Sequence, residues 1–226
     1  MKINRFYVIL LLVMFMGKNY DKLLEELILY NKEKGIVPNL LLHSCCAPCS
    51  SYVIEYLSSY FNITILYYNP NIFPYDEYLK RKNEQIKLIN TMNTKYLVNI
   101  IDCDYDNELY EKSIKGLELE PERGSRCTVC FKLRLKKTAV IAKDGNFDYF
   151  ATTLTLSPYK NAKLINEIGF ELGDKYSIKY LGSDFKKRDG YKRSIELSRI
   201  YNLYRQNYCG CIYSKRNSEG EKNDRK

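Results

Sequence analysis

An α/β fold, with a parallel sheet flanked by helices and a helical C-terminal part, is what this sequence predicts, on three observations. Short apolar runs alternate with amphipathic stretches of about ten to twenty residues, the pattern of β-α units. The first run, "LLLH", has no polar alternation, as expected of a strand buried on both faces. The chain has 226 residues, 45% hydrophobic and 28% charged, enough apolar material for one domain with a real core.

The elements follow in order. "NYDKLLEELILYNKEK" places Leu23, Leu24, Leu27 and Ile28 at helical spacing with charges opposite, and "GIVPN" ends that helix. "LLLH" is the first strand. A cysteine-rich loop follows, then a helix from about Ser50 to Tyr60. "NITILYYNP", 62–70, reads as the second strand, stopped by Asn69 and Pro70. "PYDEYLKRKNEQIKLINTMN" is a helix with Pro74 at its start. "KYLVNIIDCDY" is the third strand, and "NELYEKSIKG" a helix closed by Gly116. "ELEPERGSRC" is a loop, and "CTVCFKLRLKKTAVIAKDG" a strong amphipathic helix ending at Gly145. "FDYFATTLTLSPY" is strand-like, then turns at Ser157-Pro158. "KNAKLINEIGFELG" is a helix, "KYSIKYLGSDF" a strand and loop, and "KRDGYKRSIELSRIYNLYRQ" a last helix. In parallel sheets of this kind the ligand sits beyond the carboxyl ends of the strands, which is where the first cysteine loop falls.

The net charge is +9. The tail from Lys215 to Lys226 holds five basic and three acidic residues, so +7 belongs to the body. A basic surface suggests a polyanionic partner, nucleic acid before membrane, although lysine-rich solvated faces have the same composition. Residues 1–18 carry an apolar run, Phe6 to Met16, behind a basic start. It is too short to span a bilayer and lacks a small-x-small cleavage site, so a translation start at Met14 or Met16, or a short extension, is expected rather than export. The expected location is the cytoplasm.

The eight cysteines are clustered: Cys45, Cys46 and Cys49; Cys127 and Cys130; Cys209 and Cys211; with Cys103 alone. A chain this long and core-rich needs no disulfide framework, and close clusters favour metal or redox chemistry. Cys127-x-x-Cys130 opens a helix, where a redox dithiol and half of a zinc site look alike. Cys45 and Cys46 are adjacent, and a vicinal disulfide would distort the peptide between them. Both can instead point at one metal centre. Two thiolates from the first loop and two from the C-x-x-C make four, which suits a four-iron cluster or a zinc, with Cys49 spare. Cys209-Gly-Cys211 can close into a small, labile disulfide ring. A zinc-stabilised nucleic-acid module and a metal-free thiol–disulfide oxidoreductase remain competing readings.

Cys103 reads as a small core residue at a strand end. His43, the single histidine, reads as a buried, hydrogen-bonded imidazole. Asp102, Asp104 and Asp106 read as a strand end and helix cap. Tyr67, Tyr68, Tyr75 and Tyr78 lie near the expected site, where aromatic faces can stack on an extruded base or serve as ordinary core.

"LLLHSCCAPCS", "YYNPNIFPYDEYLKR", "GSRCTVCFKLRLKKTA", "ATTLTLSPYKN" and "GSDFKKRDGYKRSIELSRIYNLYRQNYCGC" together resemble, in order, the signatures of the cobalamin-independent epoxyqueuosine reductases, the QueH family. The resemblance covers a single domain, 19–214, leaving the N-terminal extension and the polar tail 215–226 outside it. It implies a fold of the adenine-nucleotide alpha-hydrolase (HUP) type. It implies reduction of epoxyqueuosine to queuosine at the wobble position of tRNA, the last step of queuosine biosynthesis. It further implies a [4Fe-4S] cluster on Cys45, Cys46, Cys127 and Cys130, and a redox-active pair, Cys209 and Cys211. An additional mononuclear iron is implied, with Cys49 a possible ligand. The partners implied are tRNA carrying epoxyqueuosine and an electron donor, with no membrane. Lys80, Arg81, Arg188, Lys192 and Arg193 are the expected phosphate contacts.

Overall fold

In a computed structural model that describes residues 19–215, the molecule is a three-layer α/β sandwich. The apolar segment before Asn19 and the tail beyond Lys215 lie outside the described residues. Helix α1 (Tyr20–Glu33) is capped by Asn19, whose side chain accepts from the Lys22 amide. Strand β1 (Asn39–His43) leads through Ser44-Cys45-Cys46 into α2 (Ala47–Leu57). Then come β2 (Asn62–Leu66), α3 (Tyr75–Thr91), β3 (Asn99–Ile101) and α4 (Asn107–Ser113). The long helix α5 (Ser125–Asp144) precedes β4 (Tyr149–Thr152), which runs into a 3₁₀ turn over Thr153–Leu156. Helix α6 (Ala162–Tyr176), β5 (Lys179–Tyr180) and α7 (Gly190–Ile200) complete the order.

The five strands lie in the order β3-β2-β1-β4-β5, all parallel. The side chains of β1 explain why it takes the centre. Leu40 and Leu42 face a cluster with Leu24 and Ile28 of α1, Val53 and Leu57 of α2, and Leu88 of α3. Leu41 faces the other way, against Leu135 and Ala139 of α5 and Ile165 and Ile168 of α6. All three leucines are fully buried, each worth about 1.5–3 kcal/mol of burial. Helix α7 packs outside α2.

Chain order reverses at β1: β2 follows on one side, β4 joins on the other. That switch point opens a crevice at the carboxyl ends of β1 and β4, where α/β sheets bind ligands. His43 pairs with Thr152 there, so residues 44–46 and 153 stand side by side beyond the last rung.

Several elements are shorter than the sequence pattern suggests. The second strand stops at Leu66 because its neighbour β3 ends at Ile101, leaving Tyr67 no rung. Residues 67–72 instead turn inward and bury Tyr67, Tyr68, Asn69 and Asn71. Helix α2 starts at Ala47, not Ser50, since Pro48 needs no amide partner in a first turn. The last helix stops at Ile200. Asn202 adopts φ 46° and Leu203 N–H turns back to the Ser198 carbonyl (2.8 Å), so 201–211 leaves as a strap. Among the described residues no helix is long and apolar enough to cross a membrane.

Candidate metal and redox centre

The first cysteine loop is fixed by the sheet beneath it. The Cys45 amide donates to Thr153 Oγ1 (3.2 Å), and that hydroxyl lies 3.4 Å from Cys45 Sγ. Cys46 is the N-cap residue of α2, in extended backbone, and its carbonyl accepts from the Ser50 amide (3.0 Å). Cys49 returns from the first turn of α2. The three sulfurs lie within 4.8 Å of one another, Cys45 and Cys46 at 3.9 Å, and the last two are buried. Cys46 and Cys49 donate to Cys45 and Lys160 lies nearby, so the Cys45 thiol is held well below its usual pKa. The negative charge gathered on Cys45 raises its two neighbours in turn, Cys46 to about 11. A compact trio holding one thiolate is a set of soft ligands that can hold a metal.

His43 supports this loop and is fully buried. Its Nε2–H donates to the Tyr68 carbonyl (3.1 Å), and Nδ1 faces the Thr152 hydroxyl (2.9 Å). Burial, then the Arg134 charge, lower its pKa to about 3, so the imidazole stays neutral and ties β1, β4 and the 67–69 turn together. The expected structural histidine is what the fold contains. Ser44 and Ser50 both donate to buried Gln85 Oε1 (2.6 Å each), and Asn69 Nδ2 donates to the Ser44 carbonyl (2.8 Å).

A second group of thiols lines one small cavity of about 30 Å³. Cys127 and Cys130 enter it from the first turns of α5, Cys209 and Cys211 from the strap. The Arg123 amide donates to Cys127 Sγ (3.2 Å). Burial pushes the Cys130 thiol up to about 12. Tyr110 of α4 packs against Cys130 and Cys211, and burial with those neighbours raises its pKa. All eight cysteines are free thiols. The four thiols expected to share one centre thus come from two groups: Cys45 and Cys46 sit in the first trio with Cys49, while Cys127 and Cys130 face the C-G-C pair.

Two cations join the groups. Arg134 is 2% exposed. Its Nε donates to the Cys130 carbonyl (3.2 Å), and its Nη2 is buried without a partner. Burial opposes its charge, but Cys130, Cys209 and Cys45 hold the pKa above the ordinary value. Lys160, on the cavity wall, is likewise held charged against burial by Cys209, Cys45 and Cys49. A buried guanidinium with one unpartnered nitrogen among thiols fits an anionic, thiolate-bound group.

The strap is tethered by side chains. Arg81 of α3, 1% exposed, donates from Nε to Glu77 (2.7 Å) and from Nη1 to the Cys209 carbonyl (3.2 Å), with Tyr208 over its guanidinium. The Phe73 amide donates to the Gly210 carbonyl (2.9 Å), and the Tyr204 amide to Glu84 (2.9 Å). Gly210 has φ 122°, and a Cβ there would meet Arg81 Nη1 at 2.9 Å and Ile72 at 3.0 Å. Both facts demand glycine between the two cysteines.

A family model described as epoxyqueuosine reductase QueH matches residues 40–217. The chain belongs to that family. It is 48% identical over 200 residues to the epoxyqueuosine reductase QueH of Staphylococcus epidermidis, covering 87% of this chain and 84% of that one. The Streptococcus pyogenes enzyme of the same name is 44% identical over 198 residues, 87% and 78% of the two chains. The Thermotoga maritima enzyme is 34% identical over 181 residues, 77% and 89%. The family makes the chain an oxidoreductase.

Against that background three expectations need correction. Arg81 is not a surface phosphate contact; it is buried as a strap anchor. Arg188 pairs with Asp21 and Glu25 of α1, and Arg193 with Glu55 of α2 (2.7 Å) and Glu196 of its own helix (3.1 Å), so both charges already face carboxylates. Lys80 lies over the Tyr204 ring (3.5 Å), and Lys192 is exposed. Cys103 lies two residues beyond the end of β3 at Ile101; it is half-buried, packed against the edge of the core cluster that holds Leu41, and it also lines a pocket. Arg134, Lys160, Tyr110 and Gln85 were missed. Arg134 stands in R-C-x-x-C-F-x-x-R, four residues after Cys130, but only the fold shows that it is buried. The others come from separate segments and leave no local signal.

Proposed function

We propose that the chain reduces epoxyqueuosine to queuosine at the wobble position of tRNA, with a thiolate-held [4Fe-4S] cluster and a dithiol pair. The observation that carries this reading is the gathering of seven of the eight cysteines at one end of the sheet, around the buried Arg134 and the half-buried Lys160. Cys45, Cys46, Cys127 and Cys130 are the proposed cluster ligands. The sulfurs of Cys45, Cys46 and Cys49 stand close enough to converge on a single ion, since ligand sulfurs around one metal at ~2.3 Å are about 3.8 Å apart. Cys49, beside these ligands but not among the four, is the proposed donor to a further iron next to the cluster. Bound there, the cluster supplies electrons singly.

Opening the epoxide to the alkene takes two electrons and two protons and releases the oxygen as water. Oxidation of the Cys209 and Cys211 thiols to a disulfide releases two electrons and two protons, which balances it. The chain's own groups have separate tasks. Arg134 and Lys160 hold positive charge against the thiolates and against an oxygen gaining charge. Tyr110 keeps its proton at neutral pH and lies on the cavity wall, where its hydroxyl can protonate a developing alkoxide. The Arg123 amide, just before α5, donates to Cys127 Sγ and works against the burial that raises that thiol.

The test is iron and acid-labile sulfide content with an absorption spectrum, on anaerobically purified protein. About four irons and four sulfides per chain are expected, lost in Cys45→Ala and in Cys130→Ala. Iron above that number supports the neighbouring site. One zinc without sulfide overturns the mechanism and leaves a structural metal module. Turnover of epoxyqueuosine-bearing tRNA should fall to background in Cys209→Ser, with the iron content unchanged.

A further inference from the structure

A pocket of about 570 Å³, with Cys103 in its wall, lies apart from the seven clustered thiols, at the carboxyl end of β3. Its floor is aromatic. Tyr75, Tyr78 and Tyr105 form a closed triangle, with centroids 6.0 Å, 5.0 Å and 4.6 Å apart. Tyr78 is buried and donates to the Cys103 carbonyl (3.3 Å); Tyr105 donates to the Ile72 carbonyl (2.6 Å). Those two bonds lock the inner rings. Tyr75, the outer ring, is 50% exposed. A rigid aromatic face left open to solvent is a stacking platform.

The rim is charged. Lys82 pairs with Asp102, which cancels one carboxylate. Asp104 is exposed beside it, an acceptor for base or ribose donors. Lys137, exposed on α5, supplies a cation on the far side, its Nζ 5.8 Å from the Tyr68 ring centroid. The volume lies in the usual range for small-ligand sites and holds about one nucleotide.

The position ties this pocket to the thiols. Cys127, Cys130, Arg134, Lys137 and Ile141 fall on one stripe of α5 at spacings of three and four. The first three face the thiol cavity and the last two the tyrosine pocket. Seven residues of helix separate Cys130 from Lys137, about 10 Å, a distance neighbouring nucleotides of one chain can span. Tyr68 stands between, packed in the same cluster as Cys45 and Cys46.

We propose that the Tyr75–Tyr78–Tyr105 pocket receives one unpaired nucleotide adjacent to the reacting one, its base stacked on Tyr75 and its phosphate at Lys137. This rests on the reading of the chain as an enzyme acting on tRNA. The subsite sets register: it grips the neighbour so that the modified base reaches the thiols.

The test uses the loaded enzyme and an anticodon stem-loop RNA carrying epoxyqueuosine, with further RNAs in which one or other flanking nucleotide is abasic. Tyr75→Ala should raise KM about 5- to 100-fold while leaving kcat within about twofold. One of the two abasic RNAs should raise KM by a similar factor on the wild-type enzyme. Combining that RNA with Tyr75→Ala should add little, because the two changes remove the same contact. Lys137→Gln should lower the salt dependence of binding by about one counterion. Tyr75 is half-exposed, so the variant should melt within about 2 °C of wild type. An unchanged KM in Tyr75→Ala, or losses that multiply in full, overturns the subsite while turnover by the wild type upholds the enzyme. A wild type that leaves the epoxide intact overturns both.

Discussion

The two ends of the site are held by different means. The Cys45–Cys49 loop is seated on the sheet. Its position follows from the β1–β4 register, the Thr153 hydroxyl and the neutral His43 imidazole beneath it. The Cys209–Cys211 strap has no ladder at all. It is tied to α3 and to the 72–73 turn by the Arg81, Glu84 and Phe73 hydrogen bonds. The first arrangement is as stable as the core, and the second opens locally at lower cost. That difference suits the chemistry proposed for them: a trio that is to hold a metal is served by fixed sulfurs, and a pair proposed to cycle between dithiol and disulfide by a segment that can move.

Breaking the comparison starts at the sheet. Leu41→Ala removes a fully buried side chain between α5 and α6 and should cost about 2–5 kcal/mol in a urea melt of the whole domain. The first loop should lose metal in parallel with that unfolding. Arg81→Met should act on the other end. It strips the Cys209 carbonyl of its donor, leaves Glu77 with the Tyr204 hydroxyl alone, and should ease opening of 203–211 by about 2 kcal/mol. Amide hydrogen exchange reads this directly: strap amides should exchange faster while β1 amides keep their protection. Equal loss of protection at both ends would mean that the two regions unfold together.

Smaller changes sharpen it. Thr153→Val deletes the acceptor of the Cys45 amide and should cost about 1–2 kcal/mol, with a slower thiol reaction at Cys45 under metal-free conditions, because the hydroxyl that helps hold that thiol ionised is gone. Gly210→Ala should leave the domain melt within about 1 kcal/mol of wild type. Its effect should fall on the strap, because a side chain at φ 122° clashes with Arg81. Slower dithiol–disulfide cycling, measured by thiol quench and mass mapping, is the expected sign.

How much of this was legible beforehand differs between the same two regions. "LLLHSCCAPC" announces a buried strand, a loop and a helix start within ten residues, because its apolar run and Pro48 signal those elements locally, even though its polar partners Thr152, Thr153 and Gln85 lie far off in the chain. "RIYNLYRQ" reads as continued helix. The stop at Ile200 leaves only the faint local sign of Asn202 in the left-handed region, and the path of the strap beyond it is set by Arg81 and Glu84, more than a hundred residues away. The misread basic residues share this cause. Lysine and arginine look alike in sequence whether they face phosphate or a carboxylate on the next helix, and only packing placed Arg188 and Arg193 beside Asp21, Glu25 and Glu55.

By itself the sequence determined the α/β alternation, the central buried strand, the clustering of thiols and the family to which they belong. Periodicity and short-range spacing carry that information, and both survive without a third dimension. The tertiary structure alone decided which thiols stand together, that Arg134 and Lys160 are charged among them, and that Tyr75, Tyr105 and Lys137 share one pocket. These groupings join residues far apart in the chain, brought together by the parallel register and by helices crossing the sheet.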